Sequence, residues 1–310
     1  GALATTWRPE FRAPFRAQLY GGVRFAPYPY VYRWAEQARA ALGEGADPLG
    51  PDAGPEEVGR AALAAAARIV DEAAASDAPI GAVLVEPIQG RGGFVVPPAG
   101  FLAGLRELAD QRELVLIFDE IYTGFGRTGR WFACEHAGVL PDVLVVGKAL
   151  TGAVPLSAAI GTPEVMRAWP PSTGEAVHTS TFLGNPAACA AALAQLAEIE
   201  ERGLVQRAAT VGAWLREKLD DWAERFPSVG EVRGLGLLQG VELVEDRATR
   251  RPATELARRI ADAALRAGVL LLTEGPAANV LAFTPPLVIT EAQLEHALGV
   301  VEAALAAAGG

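Results

Sequence analysis

Cysteine, histidine, methionine and lysine are all scarce in this sequence. Its 310 residues include 2 Cys, 3 His and 1 Met. Cys134 and Cys189 cannot build a disulfide framework. No His/Cys cluster accompanies them, so the expectation is no metal centre and a reducing, cytoplasmic compartment. Positive charge is also short: 27 Lys plus Arg stand against 37 Asp plus Glu, a formal net charge of -10. Nucleic acid is therefore not the expected partner, because phosphate binding needs a basic surface. No signal-peptide pattern is read. The least polar long run, residues 143–161, is broken by Lys148, Thr151, Pro155 and Ser157. It is expected to fold as strand, turn and strand rather than to cross a membrane.

What remains is globular composition: 51% hydrophobic, 21% charged, with 34 Gly and 22 Pro. The length suits one large domain or two smaller ones. Residues 80–85 (IGAVLV), 114–118 (LVLIF) and 143–146 (VLVV) are continuous apolar runs and predict buried strands. Residues 101–112 carry Leu102, Leu105, Leu108 and Ala109 at helical spacing. Strand, helix and strand in this order predict an α/β fold with a mostly parallel sheet flanked by helices. A helix is expected over 56–75, and residues 7–33, rich in Pro and aromatics, are expected as a long loop. After Asn185 and Pro186 the texture changes. Helices over 187–200, 204–226, 253–267 and 291–307, with two short strands around a glycine bend in 232–243 and strands over 269–272 and 280–283, predict a smaller α+β unit. The expected division is a large domain, residues 1–195, and a small C-terminal domain, residues 196–310.

Lysine is the most informative residue type. Only Lys148 and Lys218 are present. Lys218 lies beside Glu217 and Asp220 on a polar helix face and is expected as a solvated charge. Lys148 follows VLVVG, at the carboxyl end of a predicted strand, where parallel α/β sheets bind ligands. Lysine can form a Schiff base, which arginine cannot. Asp119 ends the strand LVLIF at the same sheet edge, with Glu120 directly after it. An ionised acid there can pair with a pyridinium nitrogen while a lysine holds the ring's aldehyde, the protein's half of pyridoxal phosphate chemistry.

Four stretches carry a specific resemblance: AVLVEPIQGRGG (82–93), FDEIYTGFGRTG (118–129), PDVLVVGKAL (141–150) and HTSTFLGNP (178–186). In order and spacing the chain resembles class III aminotransferases, fold type I pyridoxal phosphate enzymes that include 4-aminobutyrate, ornithine and acetylornithine aminotransferases. VRGLGLLQGVEL and FTPPLVI are similar to the group's C-terminal domain. The resemblance implies an amino group moved from an amino acid or amine donor to a keto-acid acceptor, in a homodimer with shared active sites and no membrane association. It implies Lys148 as the catalytic, cofactor-bearing lysine and Asp119 as the partner of the ring nitrogen. Tyr122 stands where the group usually has Gln beside the ring hydroxyl. Thr181 would meet the cofactor phosphate of the neighbouring subunit, and Glu86 would line the active site.

The departures are specific too. The group's phosphate-binding Gly-Ser/Thr loop and ring-stacking aromatic would precede Gly1, so the expectation is an N-terminally incomplete aminotransferase. Many members carry Glu after EPIQG and Arg before the C-terminal Pro-Pro, where this chain has Arg91 and Ala282. Arg91 is either an anchor for a substrate carboxylate or a solvent-facing loop residue. A same-fold racemase, decarboxylase or lyase, and a truncated non-catalytic chain, are the alternative functions.

Overall fold

The computed structural model describes residues 1–43, 49–50, 53–175 and 178–308. The chain divides into two compact units: Gly1–Val83 with Pro97–Leu116, and Leu84–Val96 with Ile117–Gly310.

In the first unit, residues 7–33 are not simply a loop. Short helices α1 (Ala2–Thr5) and α2 (Pro9–Arg12) are followed by 3-10 turns at Ala13–Gln18 and Val31–Arg33, and α3 (Trp34–Leu42) follows. Prolines in the first turn of α2 and of Ala13–Gln18 favour these starts, since Pro lacks only an N–H that no helix uses there. Helix α4 (Pro55–Ala74) packs on α5 (Phe101–Gln111), and Val58, Ala62, Leu102 and Leu105 of these helices are buried. Arg112 closes the far end with a two-pronged contact to Asp71, at 2.8 and 3.3 Å.

Four strands are ordered β1 (Ala82–Val85), β2 (Val115–Asp119), β3 (Val143–Val146) and β4 (Ala158–Gly161) in one sheet. Strands β2 and β3 run parallel, as expected, with Asp119 in register with Val145. β4 is antiparallel to β3. The connection, residues 147–157, holds only a 3-10 turn, Lys148–Leu150, and is too short for a helical crossover. β1 is an edge strand and alternates exposed and half-buried residues, whereas a fully buried strand was expected. A short apolar run does not by itself tell whether both faces are covered.

Beyond β4, the second unit adds α6 (Pro163–Arg167), α7 (Pro186–Glu201), α8 (Leu204–Arg225), β5 (Val229–Leu235), β6 (Leu238–Asp246), β7 (Arg251–Pro252), α9 (Thr254–Arg266), β8 (Leu272–Glu274), β9 (Val280–Phe283) and α10 (Glu291–Ala308). β5, β6, β9 and β8 pair antiparallel in that order. The β5–β6 turn needs Gly236: its φ is 56°, and a Cβ there would sit 2.4 Å from the Thr128 carbonyl carbon. Leu215, Leu219 and Trp222 of α8, Leu243 of β6, Ile260 of α9 and Leu298 of α10 share one core. Among the described residues no helix is long and apolar enough to cross a membrane.

Candidate active site

The carboxyl ends of β2 and β3 bring Asp119 and Lys148 to one edge. The ladder continues one residue past Asp119, where Glu120 N–H donates to the Val145 carbonyl at 2.9 Å. Asp119 Oδ1 accepts from Ile121 N–H at 3.0 Å, which fixes its carboxylate at the strand end. Lys148 leaves β3 in the left-handed region, φ 43°, and opens the 3-10 turn. A non-glycine residue in that region is held by its surroundings, as residues at functional sites often are.

Lys148 Nζ lies 4.8 Å from the centroid of the Tyr122 ring. Burial is the main influence on this amine and pushes its pKa below the ordinary lysine range. Asp119, Glu86 and Glu274 act the other way, and Arg91 adds to the lowering. All four charges therefore reach the lysine. Tyr122 packs against Phe94, ring centroids 5.9 Å apart, and against Gly90, where a Cβ would meet the ring at 3.0 Å.

Glu86 turns its carboxylate onto its own loop: Oε2 accepts from Gly90 N–H at 2.8 Å. Arg91 is 65% exposed, and its Nε pairs with Glu274 Oε2 at 2.7 Å. Thr181 is exposed in the turn before α7 and joins none of the contacts around Lys148 among the described residues. The first turn of α7 is capped by Asn185, whose Oδ1 accepts from Ala188 N–H at 3.1 Å.

Glu120 is fully buried and faces away from this cluster. Its carboxylate accepts from Thr123 Oγ1 and from the backbone N–H groups of Ala133 and Cys134, both at 2.8 Å. It pins the segment that follows Tyr122. Burial, with Glu120 second, pushes the Cys134 thiol up to about 12. Arg127 likewise holds backbone, donating to the carbonyls of Leu237 at 3.0 Å and Pro285 at 2.6 Å.

Two residues near the site were not anticipated. Glu274 stands inside the apolar run VLLLTEG, where a lone acid signals a buried carboxylate in need of a cation. Arg233 is buried and donates through Nε to the Gly93 carbonyl at 2.7 Å. Its partner could not be read from local spacing, because it lies 140 residues away.

With this geometry in view, comparison with known proteins is decisive. The family pattern described as aminotransferase class-III matches residues 1–305.

The chain belongs to the class III aminotransferases.

A probable 4-aminobutyrate aminotransferase of Bacillus subtilis is 41% identical over 228 residues, 74% of this chain and 51% of that protein. A leucine/methionine racemase of Thermococcus litoralis is 40% identical over 228 residues, 73% of this chain and 50% of that protein. An amine transaminase from an uncultivated Pseudomonas species, solved in the PLP-bound form, superposes with a TM-score of 0.83 at 34% identity, covering 97% of this chain and 65% of that one. The fold is thus that of the class III aminotransferases. The chain spans about half the length of the curated relatives it matches.

Proposed function

We infer that the chain serves a pyridoxal-phosphate-dependent aminotransferase that moves an amino group from an amino acid or amine donor to a keto-acid acceptor. One observation carries this reading: a lysine just after β3, its pKa lowered, at the same sheet edge as an aspartate that ends the parallel strand β2. These residues fit the cofactor, since a lysine with a lowered pKa suits an aldehyde and a fixed carboxylate suits a ring N–H. When bound, pyridoxal phosphate supplies that aldehyde and a ring able to accept the electron pair left by a departing α-proton.

Lys148 then holds the cofactor and, once released, carries a proton at Nζ. Asp119 keeps the ring nitrogen protonated. Tyr122 lies against the lysine and lines the ring's side of the site. Glu86 fixes the loop on which Arg91 stands, and Arg91 takes a substrate carboxylate through its planar fork. Thr181 serves the cofactor phosphate of a neighbouring subunit in a cytoplasmic homodimer. A division of labour between residues 1–195 and residues 196–310 is part of the same proposal.

The racemase relative at 40% identity supports a second reading, amino-acid racemisation at the same lysine. A single-turnover experiment separates the two. The cofactor-loaded enzyme, mixed with an amino donor and no acceptor, should release the donor's keto acid. Inversion of the donor with no keto acid released would overturn the aminotransferase reading in favour of racemisation.

A further inference from the structure

We propose that Glu274 is a positioning residue that fixes Arg91 as the recognition group for a substrate carboxylate, an inference that rests on Arg91 being the anchor. Glu274 closes β8 and is 2% exposed, while Arg91 is 65% exposed. The ion pair between them, 2.7 Å, joins a carboxylate sealed in the fold to a guanidinium at the surface. Removing a charge partner from a buried carboxylate costs more than at the surface, so Glu274 has reason to hold Arg91.

The backbone repeats the link. Gly275 N–H donates to the Arg91 carbonyl at 3.2 Å. Two residues on, Arg233 Nε grips the Gly93 carbonyl at 2.7 Å, and its guanidinium is held by Glu231 at 2.6 Å and Glu242 at 2.7 Å. Gly93 is required for this grip: its φ is 105°, and a Cβ would lie 2.9 Å from an Arg233 terminal nitrogen. Glu86 holds the same loop at Gly90. Arg91 thus stands on a loop fastened on both sides, with one end of its side chain fastened as well.

An exposed arginine normally gives up rotamer freedom when it binds an anion, and that loss weakens binding. Tethering through Nε removes much of the loss beforehand. Arg91 and Glu274 also both act on the charge of the Lys148 amine, which puts the pair in the same electrostatic cluster as the lysine. The ligand class is a carboxylate, and Glu274 contributes to its affinity only through Arg91.

The test is a double-mutant cycle on the cofactor-loaded enzyme with R91A, E274Q and R91A/E274Q. The first readout is the calorimetric Kd of glutarate, which has a carboxylate and no reacting group, with glutaramide as the uncharged control. The second is KM against kcat for 2-oxoglutarate. R91A should weaken glutarate and raise the KM about tenfold, the scale of a lost charged hydrogen bond. E274Q should raise both about fivefold, within the range for coupled neighbours. The double variant should match R91A in both the glutarate Kd and the KM, with glutaramide binding unchanged throughout. R91A leaves a buried charge behind, so melting temperatures are followed. If R91A does not fold, R91A/E274Q, which buries no uncompensated charge, is the reference, and E274Q should fall between it and wild type. Unchanged glutarate affinity without Arg91 would overturn the anchor reading itself. An effect of losing Arg91 with E274Q equal to wild type, or effects that multiply in the double variant, would overturn the role of Glu274.

Discussion

The Lys148 amine stands 4.8 Å from the centre of the Tyr122 ring, and both residues belong to segments that leave adjacent parallel strands. The contact fixes where the amine lies before any ligand arrives. Separately, desolvation is the main influence that lowers the pKa of this amine and so favours loss of its proton.

That loss has a measurable pH signature. Burial disfavours the charged amine, so the folded protein gives up this proton before the unfolded chain does. By linkage, Lys148's contribution to stability rises with pH from its folded pKa up to the ordinary value of 10.5. Acylation of Lys148 in cofactor-free protein, followed by peptide mapping, should reach half its limiting rate at a lower pH than a free lysine amide does. Asp119→Asn should move that midpoint lower still, because the Asp119 carboxylate favours the charged amine. A midpoint equal to that of the free amide, or a rise in the Asp119→Asn variant, would contradict the electrostatic account of the site.

Glu120 gives a prediction about the scaffold. It is fully buried, and three donors converge on it. Glu120→Ala leaves the Ala133 and Cys134 N–H groups without their acceptor and should cost about 3 kcal/mol or more in urea unfolding. Thiol labelling of the native protein should modify exposed Cys189 quickly and buried Cys134 slowly, and the variant should speed Cys134. A variant of wild-type stability with an inert Cys134 would remove Glu120 from its pinning role.

How much was legible beforehand depended on whether the signal was local. The helices α4, α5 and α8 and the turn between β5 and β6 follow apolar periodicity and glycine placement, and they appear within a few residues of expectation. The placement of Lys148 and Asp119 at one sheet edge was legible because each stands at the end of an apolar strand, and lysine is otherwise nearly absent. The antiparallel β4 and the half-exposed β1 were hidden, because strand direction and face coverage depend on neighbours rather than on the strand's own residues. The pairing of Arg91 with Glu274 was hidden for the same reason: the two charges are far apart in sequence and meet only through the fold. Thr181 is a third kind of case. Its resemblance-based role needs a neighbouring subunit, so the geometry of one chain does not bear on it.

The central claim is that Lys148 carries the cofactor. The most direct measurement is borohydride reduction of the pyridoxal-phosphate-loaded enzyme, followed by peptide mapping. With only two lysines in the chain the result is unambiguous. The account predicts the pyridoxyl group on Lys148 alone. A pyridoxyl group on Lys218, or none on either lysine of a preparation that absorbs visible light, would contradict it.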